Sequence, residues 1–510
     1  MSQSANNKRI AKNTLLLYVR MLFSMLVSLF TSRVVLQTLG VEDYGIYNVV
    51  GGFVSMLIFI NSSMATSTQR FLNYEMGKGD FASLRSVFSN AVNAHYLIGI
   101  FTVLVLESAG LWFLYNELNI PAEKFDAAVW VFHFSVLSMF VSIISTPYNA
   151  AIIANEKMGI YAYFSIIEVV LKLLIVYLLL VIPYNKLMMY GLMQLLVGVL
   201  MRVLYGRYCI KKFKECKYQF VWQKGLMYKM FTFSGWMLFG CVTDMLSKQG
   251  VNILINIFFG PVYNASRGVA IQVHHSINHF VANFMTAVRP QIVKSYSAGN
   301  LKEMYKLVFA ASRISYYLLF LLTFPVILYA DFILDLWLDV VPEYCTIFTR
   351  LVLLELLVTS AYSPIAQINQ ASGRVRNYQM AVSVLFLLSF LLTYSLFKLG
   401  YPVYWAFIVS VLLAFVGLLV RVYILRKENN FPAQQYLLKV MLPLLPVSMI
   451  SMCIPVAMKL CLPVSAVNIL FTIIISLFSS VFFIWFWGLR SNERRFILDK
   501  VKSVYLKIKR

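Results

Sequence analysis

Apolar runs of about twenty residues recur along the whole chain, cut by short polar or basic stretches. They lie near positions 14–38, 46–66, 86–114, 127–150, 160–182 and 187–209. After the stretch KKFKECKYQFVWQKG they resume near 229–257, 265–288, 304–330, 345–368, 377–398 and 402–425, and two more follow near 437–457 and 463–488. Roughly 20 helical residues cross a bilayer core. The pattern therefore predicts an all-α polytopic membrane protein with about fourteen transmembrane helices.

The pattern is written twice. Tyr148, Asn155 and Gly159 recur as Tyr362, Asn369 and Gly373, each 214 positions later. Gly40, Gly79 and Ala91 recur as Gly260, Gly299 and Ala311, each 220 later. Small changes in loop length account for the slip between the two sets. The duplication predicts a six-helix N-terminal lobe over 1–215 and a six-helix C-terminal lobe over 216–430. Two accessory helices and a basic tail follow over 431–510. Six helices per copy bring the second copy into the membrane in the same direction as the first. The halves then form a parallel repeat about an axis along the membrane normal, as in transporters whose site lies between two repeats.

Composition agrees with lipid as the solvent. Hydrophobic residues make up 60% of the 510 and charged residues 13%, against about 25% charged in a soluble fold. The mean hydropathy is +0.75. The net charge of +23 would suggest nucleic acid if the basic residues formed one patch. They sit instead in short segments between apolar runs, and no nucleic-acid partner is expected. The run from Leu15 is too long for a signal-peptide core and reads as the first retained span. Six scattered cysteines suggest neither a disulfide framework nor a metal site. No Walker A motif is present, so ATP hydrolysis is not expected of this chain.

Charge also orients the chain. With the N-terminus inside, the inner segments receive Lys8, Arg9, Arg70, Lys78, Arg85, Lys211, Lys212, Lys214, Lys217, Lys224, Arg289, Lys294, Arg374 and Arg376, as well as the basic tail from Arg490. Outer loops receive Glu42, Asp43, Glu117, Glu123, Asp126, Asp331, Asp335, Asp339 and Glu343. This satisfies the positive-inside rule and places both termini in the cytoplasm.

Polar residues inside the spans mark the candidate site. Arg20, Ser24, Ser28 and Ser32 follow one another at i, i+4 on the first helix, a slowly drifting stripe. The positions 220 beyond the three serines hold Asp244, Lys248 and Asn252, and Asn256 continues that row. Next in each copy come Asn48, Ser55 and Ser62, and then Arg267, His274 and Asn278, which lie within about 20° of one another on an ideal helix. A charge at the bilayer centre costs about 2.5–3.5 kcal/mol on insertion scales, so such groups face a wet cavity or a partner. The aligned faces predict one polar cavity shared by the lobes. Competing readings stay open: the serines as helix-packing residues, and Arg20 or Arg267 snorkelling to a headgroup. Arg33 stands about 140° from Arg20 around the helix and near its outer end. Asp244–Lys248 and Glu168–Lys172 have the spacing of self-neutralising pairs. His274, His275 and His279 have no carboxylate at ligand spacing, so no metal or other cofactor is expected.

With those pairs set aside, Arg20, Arg33, Arg267, Arg313 and Arg350 outnumber the remaining acids Glu107 and Glu355. A cationic cavity suits an anion, and arginine's planar fork suits phosphate. An exporter of cationic drugs would want a free membrane carboxylate, with Glu107 and Glu355 as candidates. A membrane glycosyltransferase or polymerase could draw on Asp331, Asp335 and Asp339, but it gives no account of the duplication.

The segments TSRVVLQTLGVEDYGIYNVV, ILDLWLDVVPEY and YSPIAQINQASGRVRNY resemble bacterial polysaccharide flippases of the Wzx (RfbX) type. Those belong to the multidrug/oligosaccharidyl-lipid/polysaccharide exporter superfamily. The resemblance implies two six-helix lobes in a V shape with extra C-terminal helices, in the bacterial cytoplasmic membrane. The cargo it implies is an undecaprenyl-diphosphate-linked oligosaccharide, such as an O-antigen or capsule repeat unit, moved outward by alternating access. Either a proton or sodium gradient or downstream consumption of the cargo would drive the cycle, and a polysaccharide polymerase is a candidate partner. A cationic cavity carries over to Arg20 and, more loosely, to Arg267. The same superfamily also holds cation-coupled multidrug antiporters, the alternative function.

Overall fold

The computed structural model describes residues 3–494 except 56, 117–119, 182–183, 339–340, 464 and 492, and the side chains at 3–9, 29, 32, 33, 36, 41, 48, 55 and 58 are likewise left undescribed. Lys8, Arg9, Ser32, Arg33, Asn48 and Ser55 as site or topology residues therefore lie outside the described residues, as do Glu117 and Asp339.

The elements are helices, as hydrocarbon demands: a backbone with no water around it must bond its own N–H and C=O groups. The first half contains α1 (Gln3–Ser55), α2 (Ile58–Lys78), α3 (Phe81–Val105), α4 (Leu111–Asn116), α5 (Ala122–Ala154), α6 (Met158–Val181) and α7 (Lys186–Lys212). One π turn joins α3 to α4 into a continuous rod. The second half contains α8 (Lys224–Phe259), α9 (Pro261–Ser297), α10 (Leu301–Leu328), α11 (Ala330–Trp337), α12 (Cys345–Tyr362), α13 (Ala366–Ser372), α14 (Arg376–Lys398) and α15 (Trp405–Asn429). Then come α16 (Ala433–Tyr436), α17 (Leu442–Cys461) and α18 (Ala466–Phe483). Each expected span falls on one of these helices or on a closely joined pair.

Among the described residues, eleven helices are long and apolar enough to cross a membrane, and a twelfth if the bent pair Glu42–Val54 and Phe59–Lys78 makes one span. The long helices outside that set are α8 and α9, the seventh and eighth expected spans. They carry Asp244, Lys248, Asn252, Asn256, Arg267, His274, His275 and Asn278, which lowers their hydropathy. On α1, Leu15, Val19, Leu22, Leu26 and Phe30 are exposed, a face suited to lipid chains.

Two units emerge. One is Lys12–Leu238; the other takes the chain from Phe239 onward with the N-terminal residues up to Ala11. In the first, Val50, Leu106, Val131, Phe132 and Ile143 form the core. In the second, Val251, Ile255, Ala270, Phe348 and Phe407 do so. The accessory helices join the second unit: Leu444 and Val447 pack with Tyr317 and Ala361, and Tyr316 Oη and Ser448 Oγ lie 2.9 Å apart.

The repeat is visible inside each unit. Gly40 breaks α1 at φ 82°, ψ 168°, and Gly260 separates α8 from α9 at φ 94°, ψ 176°. Residues with a Cβ hardly ever take that conformation. Gly79 and Gly299 sit at φ 78° and 76°. Asn155 Nδ2 donates to Glu215 Oε1 at 2.8 Å, while Asn429 Nδ2 donates to Asn369 Oδ1 at 2.7 Å, so the equivalent asparagines tie equivalent helix ends.

The chain between α7 and α8 is a strap fastened to α3. Its backbone bonds alternate, as an extended segment requires. Arg85 Nε donates to Lys217 O at 2.9 Å, and Gln219 N donates to Ser89 Oγ at 3.2 Å. Asn93 Nδ2 donates to Val221 O at 3.0 Å, and Gln223 N donates to Asn90 Oδ1 at 3.0 Å. Cys216 is buried at the start of the strap; its hydrogen bond with Cys209, and its burial, push its thiol far above the ordinary range, which keeps it unreactive.

Candidate functional site

The polar row of α8 meets α9 in one network. Lys248 Nζ and Asp244 Oδ2 are 2.8 Å apart, one turn from each other, with Lys248 still largely exposed. One turn on, Asn252 Oδ1 accepts from Arg267 Nη1 at 2.8 Å and from Asn264 Nδ2 at 2.9 Å. Arg267 Nη2 donates to Lys248 O at 2.9 Å. Arg267 is 9% exposed, so its charge is compensated by amide and carbonyl dipoles with no carboxylate within ion-pair range among the described residues. The hairpin at Gly260 makes this possible, because it folds α9 back beside the row it follows.

Glu355 joins from α12; Lys248, Asp244 and Arg267 are the charged groups that act on it. His274 stacks edge-on against His275, ring centres 5.3 Å apart, and Lys248 acts on both imidazoles. Asn278 is half-buried one turn further on. Asp244, Lys248, Asn252, Arg267, His274 and Glu355 thus form one mixed-charge cluster on three helices of a single unit. Spacing along the sequence singled out five of them; Glu355 entered from 88 residues beyond Arg267.

The first unit has its own cation. Arg20 Nη1 lies 3.5 Å from Ser165 Oγ, and its guanidinium carbon is 4.9 Å from the centre of the Tyr161 ring. Its Nε is buried with no hydrogen-bond partner. Glu168 and Lys172, further along α6, pair at 2.7 Å. Ser24 is half-buried and Ser28 exposed on α1.

Two expected cavity cations are committed elsewhere. Arg313, 3% exposed, forms an ion pair with Glu493 and also donates to Lys439 O, so it fixes the accessory helices to α10. Arg350 pairs with Asp331 at 2.6 Å and donates to Ile327 O at 3.1 Å. Each acid lies on a different helical segment from its arginine, Asp331 on α11 and Glu493 180 residues beyond Arg313, so spacing along a helix gave no sign of them. Glu107, expected to be free, meets His133 at 3.0 Å.

Sequence reasoning missed one repeated device. The Arg202 guanidinium lies 4.0 Å from the Tyr148 ring centre, and that of Arg421 lies 4.6 Å from Tyr362, with Arg421 Nε also donating to Tyr378 Oη at 3.1 Å. The 214-residue recurrence of the tyrosines was the available signal. No group of three His, Cys, Asp or Glu suited to a metal occurs among the described residues.

No protein-family model matches the chain, and no curated protein does. Solved structures do. The class defined by the fold is a polytopic all-α membrane protein with the architecture of MATE transporters. The crystal structure of MATE in the straight conformation superposes with a TM-score of 0.71 at 13% identity, covering 84% of this chain and 97% of that one. A mutant of the Vibrio cholerae MATE transporter VcmN gives 0.66 at 14% identity, over 84% and 98%. An outward-facing multidrug resistance MATE family transporter of the MOP superfamily gives 0.65 at 12% identity, over 82% and 97%. At such identities the likeness is one of fold.

Proposed function

We propose that the chain is a membrane exporter working by alternating access, and that its cargo is anionic: a lipid-linked oligosaccharide carried on a diphosphate. The observation that carries this reading is Arg267, buried with its guanidinium hydrogen-bonded to the neutral acceptors Asn252 Oδ1 and Lys248 O, while Glu355 acts on it from beyond ion-pair range. A guanidinium already freed of water and turned by neutral dipoles gives a phosphate oxygen charge-assisted hydrogen bonds at little further desolvation cost. In the other unit Arg20, packed on Tyr161 and Ser165 with no carboxylate within ion-pair range among the described residues, is a second cation of the same kind. The cargo head would bind from the cytoplasmic side while its polyprenyl chain stays in lipid. Asp331, one of the three acids behind an enzyme reading, pairs with Arg350.

The second reading is a cation-coupled multidrug antiporter. The fold likeness favours it over the first, since the neighbours are MATE transporters and one is named for multidrug resistance. Asp244 and Glu355, both beside Lys248, are the carboxylates it would use. One experiment separates the two. After deletion in the native host, the first reading expects diphosphate-linked glycan to accumulate on the cytoplasmic face, with Arg20→Ala and Arg267→Ala failing to relieve it. The second expects drug efflux that persists without any glycan pathway and is lost in Glu355→Gln. Normal surface glycan after deletion, with no redundant exporter, refutes the first.

A further inference from the structure

The strap between α7 and α8 has two unlike edges. Lys217, Gln219, Val221 and Gln223 give their backbone bonds to α3. In an extended chain the side chains of the residues between them share one face, and those residues are Tyr218, Phe220 and Trp222. All three are exposed, Phe220 at 79% and Trp222 at 47%. Tyr218 keeps its hydroxyl on Asn93 Oδ1 at 2.8 Å, so the row of rings is held in place at one end. Tyr228, on the first turns of α8, is 73% exposed. Around this row stand Lys211, Lys212, Lys214, Lys217, Lys224 and Lys229, all exposed. The segment's one acid, Glu215, is buried and engaged by the neutral Asn155 amide, so six lysines stand against a single carboxylate.

Large exposed aromatics flanked by lysines are costly against water alone, but they match the boundary between headgroups and acyl chains. There rings lie at headgroup depth and ammonium groups meet phosphate. The strap joins two membrane helices, so that boundary is within its reach. A segment present only to satisfy topology would need the lysines; it would not need the fixed aromatic row or the four bonds that hold it rigid.

We propose that this strap is a binding surface for the anionic phospholipid headgroups of the cytoplasmic leaflet, with Phe220 and Trp222 seated among the acyl-chain ends and the lysines on the phosphates. Each lysine near an anionic surface adds roughly fivefold to binding at low salt. The proposal does not depend on what the protein transports.

Trp222 itself is the probe. The full chain is reconstituted in lipid discs containing brominated phosphatidylglycerol or brominated phosphatidylcholine at equal mole fraction. The Trp222 signal is the difference between the native chain and Trp222→Phe. Bromolipid should quench this signal, and the glycerol lipid should do so at mole fractions about tenfold lower. The triple variant Lys214→Gln, Lys217→Gln, Lys224→Gln keeps Lys211 and Lys212 for topology and should lose that preference about tenfold or more. Quenching by aqueous iodide in place of bromolipid would put the rings in water and overturn the proposal. So would equal quenching by both lipids, or a preference that the triple variant retains.

Discussion

Truncating Asn252 should harm the protein more than removing the charge that Asn252 holds. Asn252→Ala deletes the acceptor of one Arg267 bond of 2.8 Å and of one Asn264 bond of 2.9 Å. The guanidinium, 9% exposed, keeps the hydrogen bond to Lys248 O but leaves Nη1 without its acceptor. Stranding a buried donor costs about 1–3 kcal/mol, and more when it is charged. Arg267→Met removes the same bonds but also removes the buried charge, and methionine fills much of the volume, so its cost should be about 1 kcal/mol or less. The double variant should then resemble Arg267→Met. In bilayers, pairwise coupling energies average about 0.6 kcal/mol and reach about 1.7; a charged donor with few other partners belongs near the upper end. Steric-trapping measurements of unfolding free energy in lipid discs, on all four members of the cycle, give the coupling directly. Additive effects, or Arg267→Met costing more than Asn252→Ala, would refute the claim that Asn252 compensates this cation. A folded Arg267→Met protein that still exports cargo normally would remove Arg267 from the site.

The pair beneath the accessory helices makes a similar test. Glu493→Ala leaves Arg313 buried without its acid and should cost about 3 kcal/mol, whereas Arg313→Met with Glu493→Ala should recover most of the loss in thermal unfolding. Gly260→Ala should cost about 1–3 kcal/mol, because φ 94° with ψ 176° suits glycine. Gly268→Ala, inside α9 with open space around the added Cβ, should instead stabilise by about 0.5–1 kcal/mol. The Asp80 carboxylate, held below the ordinary carboxylate range by bonds from Ser83 N and Ser83 Oγ, contributes fully above that range and loses its effect as pH falls through its lowered value. Protection of the amides in the first turn of α3, referred to the intrinsic exchange rate at each pH, should therefore fall on acidification in the native chain and change less in Asp80→Asn.

Much of the architecture is legible in one dimension because a bilayer imposes length and polarity on each span. The expected run near 345–368 lies on Cys345–Ser372, and that near 160–182 on Met158–Val181. Helix ends were less legible. The expected start of α1 near 14 is a hydropathy boundary, but its helix runs from Gln3, since a helix need not stop where the lipid does. The second expected span is broken between α1 and α2, although its hydropathy is continuous. In the site, the offset of 220 picks out the α8 row that Arg267 joins through Asn252. What spacing does not reveal is pairing over long range. Arg313 and Glu493 are 180 residues apart, and only packing brings them together. Arg202 and Tyr148 meet across α5 and α7 for the same reason.

Two long helices that are not among those long and apolar enough to cross a membrane, α8 and α9, are joined by a single residue, Gly260. A nascent segment carrying Asp244 and Lys248 gains little by entering the lipid alone, and neither does one carrying Arg267. Presented together as a hairpin, each screens the other's polar edge, and Asn252 can receive the guanidinium before either meets acyl chains. Insertion of the second half of this protein should therefore proceed by a two-helix step, with the membrane machinery retaining α8 until α9 has been synthesised.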